Sequence, residues 1–176
     1  TFIEPLDLTL GPDGTLVMTG DFAGPLDFGA GDLVFPENPL AAKVFVAAFD
    51  GGGLPLWSER FGTQLDTKSG FADTGMFISD TAVAEDGSVW LAGVVYGALQ
   101  VGAGVFTPAG RSDGFLAKLD AAGHPIFTRL FGGGDQDGIG PIALGPGGTV
   151  LFGGFATGTV DLGKGPTEGD PLSPSA

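Results

Sequence analysis

Apolar residues in this chain fall into short runs separated by glycine-containing turns. Three runs belong to one recurring phrase, "GPDGTLVMTGDF" at 11–22, "AEDGSVWLAGVV" at 84–95 and "GPGGTVLFGGFA" at 145–156. Each run is almost continuously apolar rather than alternating, which predicts a strand covered on both faces. No segment shows a useful helical period of apolar positions. The pattern therefore predicts short strands in sheets that stack on one another.

The recurrence extends beyond this phrase. "GPLDFG", "GALQVG" and "GTVDLG" follow the three copies at the same spacings of 73 and then 61 residues. A second pair, "VFVAAFDGGGLPLWSERFG" from Val44 and "GFLAKLDAAGHPIFTRLFG" from Gly114, matches at a constant spacing of 70 residues. The chain therefore contains two complete repeats and the first half of a third. The aligned turn glycines are Gly14, Gly87 and Gly148, and the aligned strand glycines are Gly20, Gly93 and Gly154.

Turn chemistry divides each repeat into strands. Asp13-Gly14 and Asp86-Gly87 lie between apolar runs, and Asp-Gly pairs there favour a hairpin with a type I′ turn; Gly147-Gly148 serves the same purpose. The longer "DGGGLP" and "DAAGHP" turns place an Asp where it can bond the backbone ahead. We predict four antiparallel strands in each complete repeat, over 5–10, 15–22, 43–49 and 55–61, and over 78–84, 88–95, 114–120 and 125–131.

One four-stranded sheet cannot cover both of its own faces, whereas sheets stacked around an axis can, as in a β-propeller. We therefore predict an all-β, β-propeller-like fold with two complete four-stranded blades and half of a third in an open or incomplete ring. The predicted units are blade 1 (1–62), an inter-blade insertion (63–77), blade 2 (78–132), the first half of blade 3 (133–163) and a tail (164–176). Together they form one domain or a fragment of a larger propeller.

The order of these features resembles the SBBP class of bacterial β-propeller repeats over about residues 5–163. "GPLDFGAG", "GFLAKLDAAGHPIF" and "RFG" carry the resemblance. It implies a propeller-like fold and an exported protein, extracellular, on the cell surface or periplasmic, and it implies no single activity. The chain departs from the pattern in the long join "GTQLDTKSGFADTGMFISD" and in lacking the third and fourth strands of its last repeat.

An incomplete ring would leave apolar blade faces exposed, since propellers typically need about four to eight blades. The tail ends where the next third strand is expected, and the first residue is Thr rather than Met. We expect a fragment of a longer propeller. The alternatives are completion by copies of the chain, as a homo-oligomer, or by a partner chain.

Composition narrows the range of partners. The chain of 176 residues fits one domain, and 43% of its residues are hydrophobic. Its net charge of -14 repels phosphate backbones and anionic lipid headgroups, which argues against nucleic acid. It has no cysteine, and no apolar run is long enough to predict membrane insertion.

Few residues suggest catalytic chemistry. The only histidine, His124, aligns with Leu54 in an equivalent turn, which favours a structural position. Trp57 aligns with Phe127, and Trp90 replaces aliphatic residues of the other two copies, so packing is favoured over a sugar platform. We identify no catalytic residues and predict that the chain is not an enzyme.

The segment "GGGDQDGIG" at 132–140 resembles a calcium-binding loop. Asp135 and Asp137 can turn two carboxylates toward one point, and Gly138 permits a sharp bend. An ordinary turn or solvated loop is the alternative, because the equivalents of these two residues are Leu65 and Thr67. We predict no cofactor, with calcium as the alternative.

The insertion breaks the repeat and is therefore a candidate contact for a protein partner, since binding residues often lie on added loops of a rigid scaffold. A neutral insertion is the alternative. Tyr96 aligns with Ala23 and Thr157, and is the less constrained aromatic residue. The candidate contact residues are Asp66, Lys68, Phe71, Asp73, Met76, Phe77 and Tyr96.

These features favour a non-enzymatic, exported propeller module that acts as a structural or protein-interaction component of a cell-surface or extracellular assembly. Its partner would be another protein or further blades of the same protein. Two alternatives remain. One is a glycan- or calcium-binding lectin-like propeller, and the other is part of a propeller lyase or hydrolase whose active site lies outside this chain.

Overall fold

The computed structural model describes residues 2–33, 43–63, 75–158 and 160–161. These residues form an all-β fold of antiparallel sheets, none of which closes on itself. The helical element among them is one turn of 3-10 helix at Pro146–Gly148. The predicted tail, 164–176, lies outside the described residues.

The first sheet contains the four strands predicted for the first repeat. In chain order the strands of this region are β1 (Phe2–Leu10), β2 (Leu16–Ala23), β3 (Leu26–Asp27), β4 (Asp32–Leu33), β5 (Lys43–Phe49) and β6 (Pro55–Thr63). The first sheet has the antiparallel order β1-β2-β5-β6, while β3 pairs with β4. The predicted strands are confirmed, although β1 begins three residues earlier than expected.

The second sheet has the same plan. The next strands are β7 (Met76–Val83), β8 (Val89–Val95), β9 (Leu99–Val101), β10 (Gly104–Phe106), β11 (Asp113–Leu119) and β12 (Pro125–Gly133). The order β7-β8-β11-β12 is antiparallel throughout. The predicted strands are again confirmed, but β7 begins at Met76, inside the segment that we assigned to the insertion.

The last described strands are β13 (Asp137–Leu144), β14 (Val150–Ala156) and β15 (Val160–Asp161). Strands β13 and β14 form a two-stranded antiparallel sheet, which corresponds to the predicted half repeat. Both β7 and β13 pack against strands of the preceding sheet. The three units therefore follow one another as a stack.

Short strands link neighbouring sheets by hydrogen bonding. Strand β9 pairs with β6 of the first sheet, with Leu99 opposite Thr63, and β15 pairs with β12 of the second, with Val160 opposite Gly133. Both short strands come from the "GALQVG" and "GTVDLG" stretches that follow the second strand of a repeat. The stretches recur in the sequence, but no strand was predicted for them. Each stretch extends the preceding sheet instead of its own.

The Asp-Gly turns differ from the predicted type. The Gly14 N–H donates to the Gly11 carbonyl at 3.0 Å, and the Gly11 N–H donates to the Thr15 carbonyl at 2.7 Å. Gly14 has a φ of 88°, but no described residue other than glycine has positive φ, so Asp13 does not meet the type I′ requirement. At both Asp-Gly pairs the prediction of a hairpin is confirmed and that of a type I′ turn is wrong, whereas Gly147 and Gly148 both have the positive φ that this turn requires. The Asp instead precedes a left-handed glycine in a three-residue hairpin loop.

The recurring strand glycines lie where two backbones approach closely. Gly20, Gly93 and Gly154 stand opposite the three positions where the first strand of each unit carries a register shift. A Cβ at each would overlap a carbonyl oxygen of that first strand, and the oxygens belong to Glu4, Phe77 and Gly138. Glycine is required here by the distance between the strands, not by its own φ.

Substitution of Gly93 tests whether the short distance between β7 and β8 requires glycine. We expect Gly93→Ala to lower the free energy of unfolding by about 3 kcal/mol, because the new methyl group would force β7 away from β8. The control is Gly134→Ala, since a Cβ at Gly134 meets no atom within 4 Å. Urea unfolding followed by circular dichroism measures both variants. Equal stability of the two variants would contradict the account.

The main core lies between the first two sheets. Val17, Val44, Val46, Ala48 and Phe61 of the first sheet face residues of the second unit such as Met76, Leu91, Leu99 and Phe115. A second cluster joins Trp90, Ala92, Leu116 and Phe131 of the second sheet to Ile139 of β13. Neighbouring residues of β8 thus contribute to opposite clusters. The prediction of a strand covered on both faces is confirmed for β8.

Strand β14 does not fit that prediction. Six of its seven residues are exposed, whereas every residue of β8 is buried except Val94, which is half-buried. β8 is flanked by β7 and β11, while β14 has β13 as its one partner among the described residues. The apolar run at 149–154 is therefore incompletely covered.

Candidate functional site

The predicted contact in the insertion is only partly within the described residues. Asp66, Lys68, Phe71 and Asp73 lie outside them. Met76 is 1% exposed and belongs to the core between the first two sheets, so it presents no surface to a partner. Its inclusion in the contact is corrected, because it is the first residue of β7 and packs inward.

Phe77 and Tyr96 lie together. Their ring centroids are 6.0 Å apart with the planes at 87°, an edge-to-face contact. Phe77 is exposed and Tyr96 half-buried, and the Tyr96 N–H donates to the Gly75 carbonyl at 2.8 Å. The structure therefore brings together two of the predicted contact residues in one small aromatic surface. Their role in binding stays a prediction.

The carboxylates near 132–140 are occupied by backbone donors. Asp137 is buried, and its two oxygens accept hydrogen bonds from the Gly133 N–H at 2.7 Å and the Thr157 N–H at 3.0 Å. Asp135 is exposed, and its carbonyl accepts from the Arg111 N–H. Among the described residues no group of three or more His, Asp or Glu side chains is placed to hold a metal ion. Asp137 serves as a link between β12, β13 and the end of β14.

Calcium titration separates the two interpretations of Asp137. We expect millimolar calcium to leave the thermal midpoint unchanged, because the carboxylate oxygens already accept backbone hydrogen bonds. Asp137→Ala should lose about 1–2 kcal/mol of stability with or without calcium, since the Gly133 N–H loses its acceptor and the Thr157 N–H keeps only the Gln136 carbonyl. Differential scanning calorimetry gives the thermal midpoint with and without calcium and the loss of stability of the variant. Asp135→Ala is the exposed control. A calcium-dependent rise that Asp137→Ala abolishes would establish the metal site instead.

The recurring turn carboxylates organise the loops. Oδ1 of Asp50 accepts from the N–H groups of Gly52 and Leu54, and Oδ1 of Asp120 accepts from those of Ala122 and His124. These bonds hold the pKa of Asp120 below its ordinary value, with the His124 N–H as the largest cause. His124 itself is exposed and lies 3.3 Å from Asp120 Oδ2 through its Nδ1. This placement accords with the structural role predicted for the histidine.

The pH dependence of stability tests the turn bonds. The Ser88 hydroxyl and then the Ser88 N–H lower the pKa of Asp86. A carboxyl whose pKa falls on folding stabilises the native state above its ordinary pKa, and this contribution is lost as the pH falls through the lower folded value. We expect Asp86→Ala to destabilise the protein by about 0.5–1 kcal/mol at pH 7 and by progressively less below pH of about 4.

Urea unfolding at a series of pH values measures that difference. Asp86→Asn is the matched control, because it keeps an acceptor for Ser88 while removing the charge. At pH 7, Asp86→Asn should lose less unfolding free energy than Asp86→Ala. A deficit of Asp86→Ala that stays constant from pH 7 to pH 3 would contradict the assignment.

Both tryptophans lie in packed positions. Trp57 Nε1 donates to the Ala121 carbonyl at 3.0 Å, and its ring lies against Gly123 of the neighbouring unit. Trp90 is buried, its ring centroid is 5.9 Å from that of Phe127, and the Lys118 ammonium lies 5.4 Å above it. The packing interpretation of both residues accords with these contacts.

A groove of about 550 Å³ lies where turns from the three units meet. Pro12, Asp86 and Pro146 come from these turns, and Trp90 and Lys118 also line the groove. Lys118 Nζ is 3.8 Å from Asp86 Oδ2, a partly exposed pair worth at most about 1 kcal/mol. The groove was not predicted from the sequence. Lys118 stands where the first repeat has Ala48, which is the signal that could have drawn attention to it.

The largest difference in side-chain exposure between equivalent positions of the three units is found on β14. Leu151 is 62% exposed, whereas its equivalents Trp90 and Val17 are 5% and 0% exposed. Phe155 is also exposed. At the other end of the stack, β1 exposes Ile3, where β7 buries the equivalent Met76. The two ends of the described structure therefore present apolar side chains that the interior of the stack covers.

These end surfaces are the features best suited to recognition. Large exposed apolar patches on other proteins are commonly sites of contact with macromolecules. Within the described residues, no helix combines the length and the hydropathy needed to cross a bilayer.

No family model and no curated protein sequence matches the chain, so the resemblance to SBBP-type repeats stays a prediction.

Proposed function

We propose that this chain is a non-enzymatic, propeller-type module that acts as a structural or protein-interaction component of an exported assembly. The observation that carries the proposal is the exposure of Leu151 on β14, at a position whose equivalents Trp90 and Val17 are buried. Phe155 is exposed on the same strand. The equivalents of β14 in the first two units are largely covered, whereas β14 is exposed to solvent. An exposed apolar strand of this kind is suited to contact with a further protein surface.

The character of the surface supports a protein as the partner. The chain carries 21 acidic and 7 basic residues, so anionic polymers are repelled. Charged residues amount to only 16% of the chain, and the ends of the stack expose several aliphatic and aromatic side chains, among them Ile3, Leu151 and Phe155. Burial of one such side chain is worth about 1.5–3 kcal/mol. A few of them together give a contact of useful strength.

The exported location rests on the resemblance to SBBP-type repeats, which implies an extracellular, cell-surface or periplasmic setting. The absence of cysteine from the sequence is compatible with such a setting. Further blades on one polypeptide, or a separate protein partner, would provide the covering surface in that assembly.

Site-specific crosslinking tests the proposal. A photoreactive amino acid at Leu151 should give a covalent adduct with another polypeptide segment when the protein is irradiated in its native assembly. Leu54 is the matched control position, because it is 65% exposed but lies in a turn. Mass spectrometry of each adduct identifies the crosslinked polypeptide segment. Adducts at neither position, or equally at both, would contradict the proposal.

A further inference from the structure

Among the described residues, the edge of β14 lacks the strand that the two complete repeats hold there. In the first sheet β2 pairs with β5 from Leu16 opposite Phe49 to Asp21 opposite Val44. In the second, β8 pairs with β11 from Val89 opposite Leu119 to Val95 opposite Asp113. Among the described residues β14 pairs with β13 alone.

The backbone of β14 faces outward at regular intervals. The Thr157 N–H donates to the Gln136 carbonyl, and the Thr149 carbonyl accepts from Gly145, so these residues point toward β13. Polar groups alternate in direction along an antiparallel strand. The N–H and carbonyl groups of Val150, Phe152, Gly154 and Ala156 therefore point to the open edge.

The sequence-equivalent residues of β8 show what meets such an edge. Val89, Leu91, Gly93 and Val95 stand at those positions, opposite Leu119, Ala117, Phe115 and Asp113. Leu91 is fully buried there, while its equivalent Phe152 is 38% exposed on β14. The missing occupant is thus an apolar strand of the β11 type, followed by a strand of the β12 type.

The chain has no spare hairpin of this kind in its described part. Strand β5 is paired with both β2 and β6, and β11 is paired with both β8 and β12. A second copy could supply such a hairpin only by opening one of its own sheets. Loss of the cores that these strands form makes that exchange unfavourable.

We propose that the open edge of β14 takes up, by strand addition, a β-hairpin of this same repeat type that the described residues of one copy do not spare. This deepens the proposed function, on which it rests, by naming the partner as an apolar hairpin with the pattern of residues 113–132. Its first strand pairs antiparallel to β14 with the register of β11 on β8. Backbone hydrogen bonds provide the affinity, and the apolar side chains extend the stack.

A synthetic peptide with the sequence of residues 113–132, "DGFLAKLDAAGHPIFTRLFG", is the probe. Added to the intact 176-residue chain, it should slow amide exchange at Phe152, Gly154 and Ala156 about tenfold or more, because these N–H groups gain acceptors. Residues 89–95 should be unaffected, since β11 already pairs with β8. Hydrogen exchange read by NMR resolves the two strands.

The control peptide carries N-methyl groups at the residues equivalent to Phe115 and Ala117. These residues stand opposite Gly93 and Leu91, so their N–H groups are the ones that meet the edge. The methylated peptide keeps every side chain and should give no protection. Equal protection by both peptides would show side-chain adsorption and would overturn strand addition.

Three further results would overturn the proposal. They are an absence of protection on β14, protection of 89–95 by displacement of β11, and protection of β14 without peptide by self-association, which sedimentation would reveal. Crosslinking at Leu151 separates this proposal from the proposed function. An adduct there together with no effect of the peptide would leave the interaction role in place and remove the hairpin as its partner.

Discussion

Burial of both faces of a central strand is the constraint on which the other features of this protein depend. Residues of β8 alternate between two apolar clusters, one shared with the sheet before it and one with the sheet after it. A single sheet cannot satisfy such a strand, so the units must be stacked. The packing of Trp57 on the next unit and the exposure of β14 follow from that arrangement or from its interruption.

Local hydrogen bonds prepare each sheet for stacking. The turn carboxylates of Asp50 and Asp120 accept from backbone groups ahead of them and so fix the hairpins that the third and fourth strands form. Asp137 and Asp113 act within the structure in a similar way, because each is buried and accepts from backbone N–H groups. The carboxylates of these four residues therefore hold loops in place.

Much of the fold was accessible from the sequence because its signals are local. Apolar runs and turn glycines gave the eight principal strands of the two complete repeats, and their antiparallel order is confirmed. The type of turn was not accessible, because an Asp-Gly pair fits two loop geometries that differ in the φ of the Asp. The short strands β9 and β15 pair with distant segments, and their lengths of two or three residues give no periodicity to detect.

The candidate site was less predictable, since exposure depends on neighbours. Met76 appeared to belong to an insertion when loop lengths were compared, yet it occupies the position of Ile3 at the start of the unit. The apolar run of β14 resembles that of β8 in sequence. Among the described residues, however, β14 has no third strand beside it and no further sheet against its face. Phe77 and Tyr96 were selected separately, and their contact required the register of β7 on β8.

The pairing of β9 with β6 has a consequence for synthesis of the chain on the ribosome. Gly62 and Thr63 at the end of β6 gain their partners on β9 only after residues 99 and 100 have been made, about 36 residues beyond Thr63. At about 5–20 residues per second this interval lasts roughly two to seven seconds. During it the end of β6 lacks this pairing in the nascent chain, and this is the period when a holding chaperone would shield it.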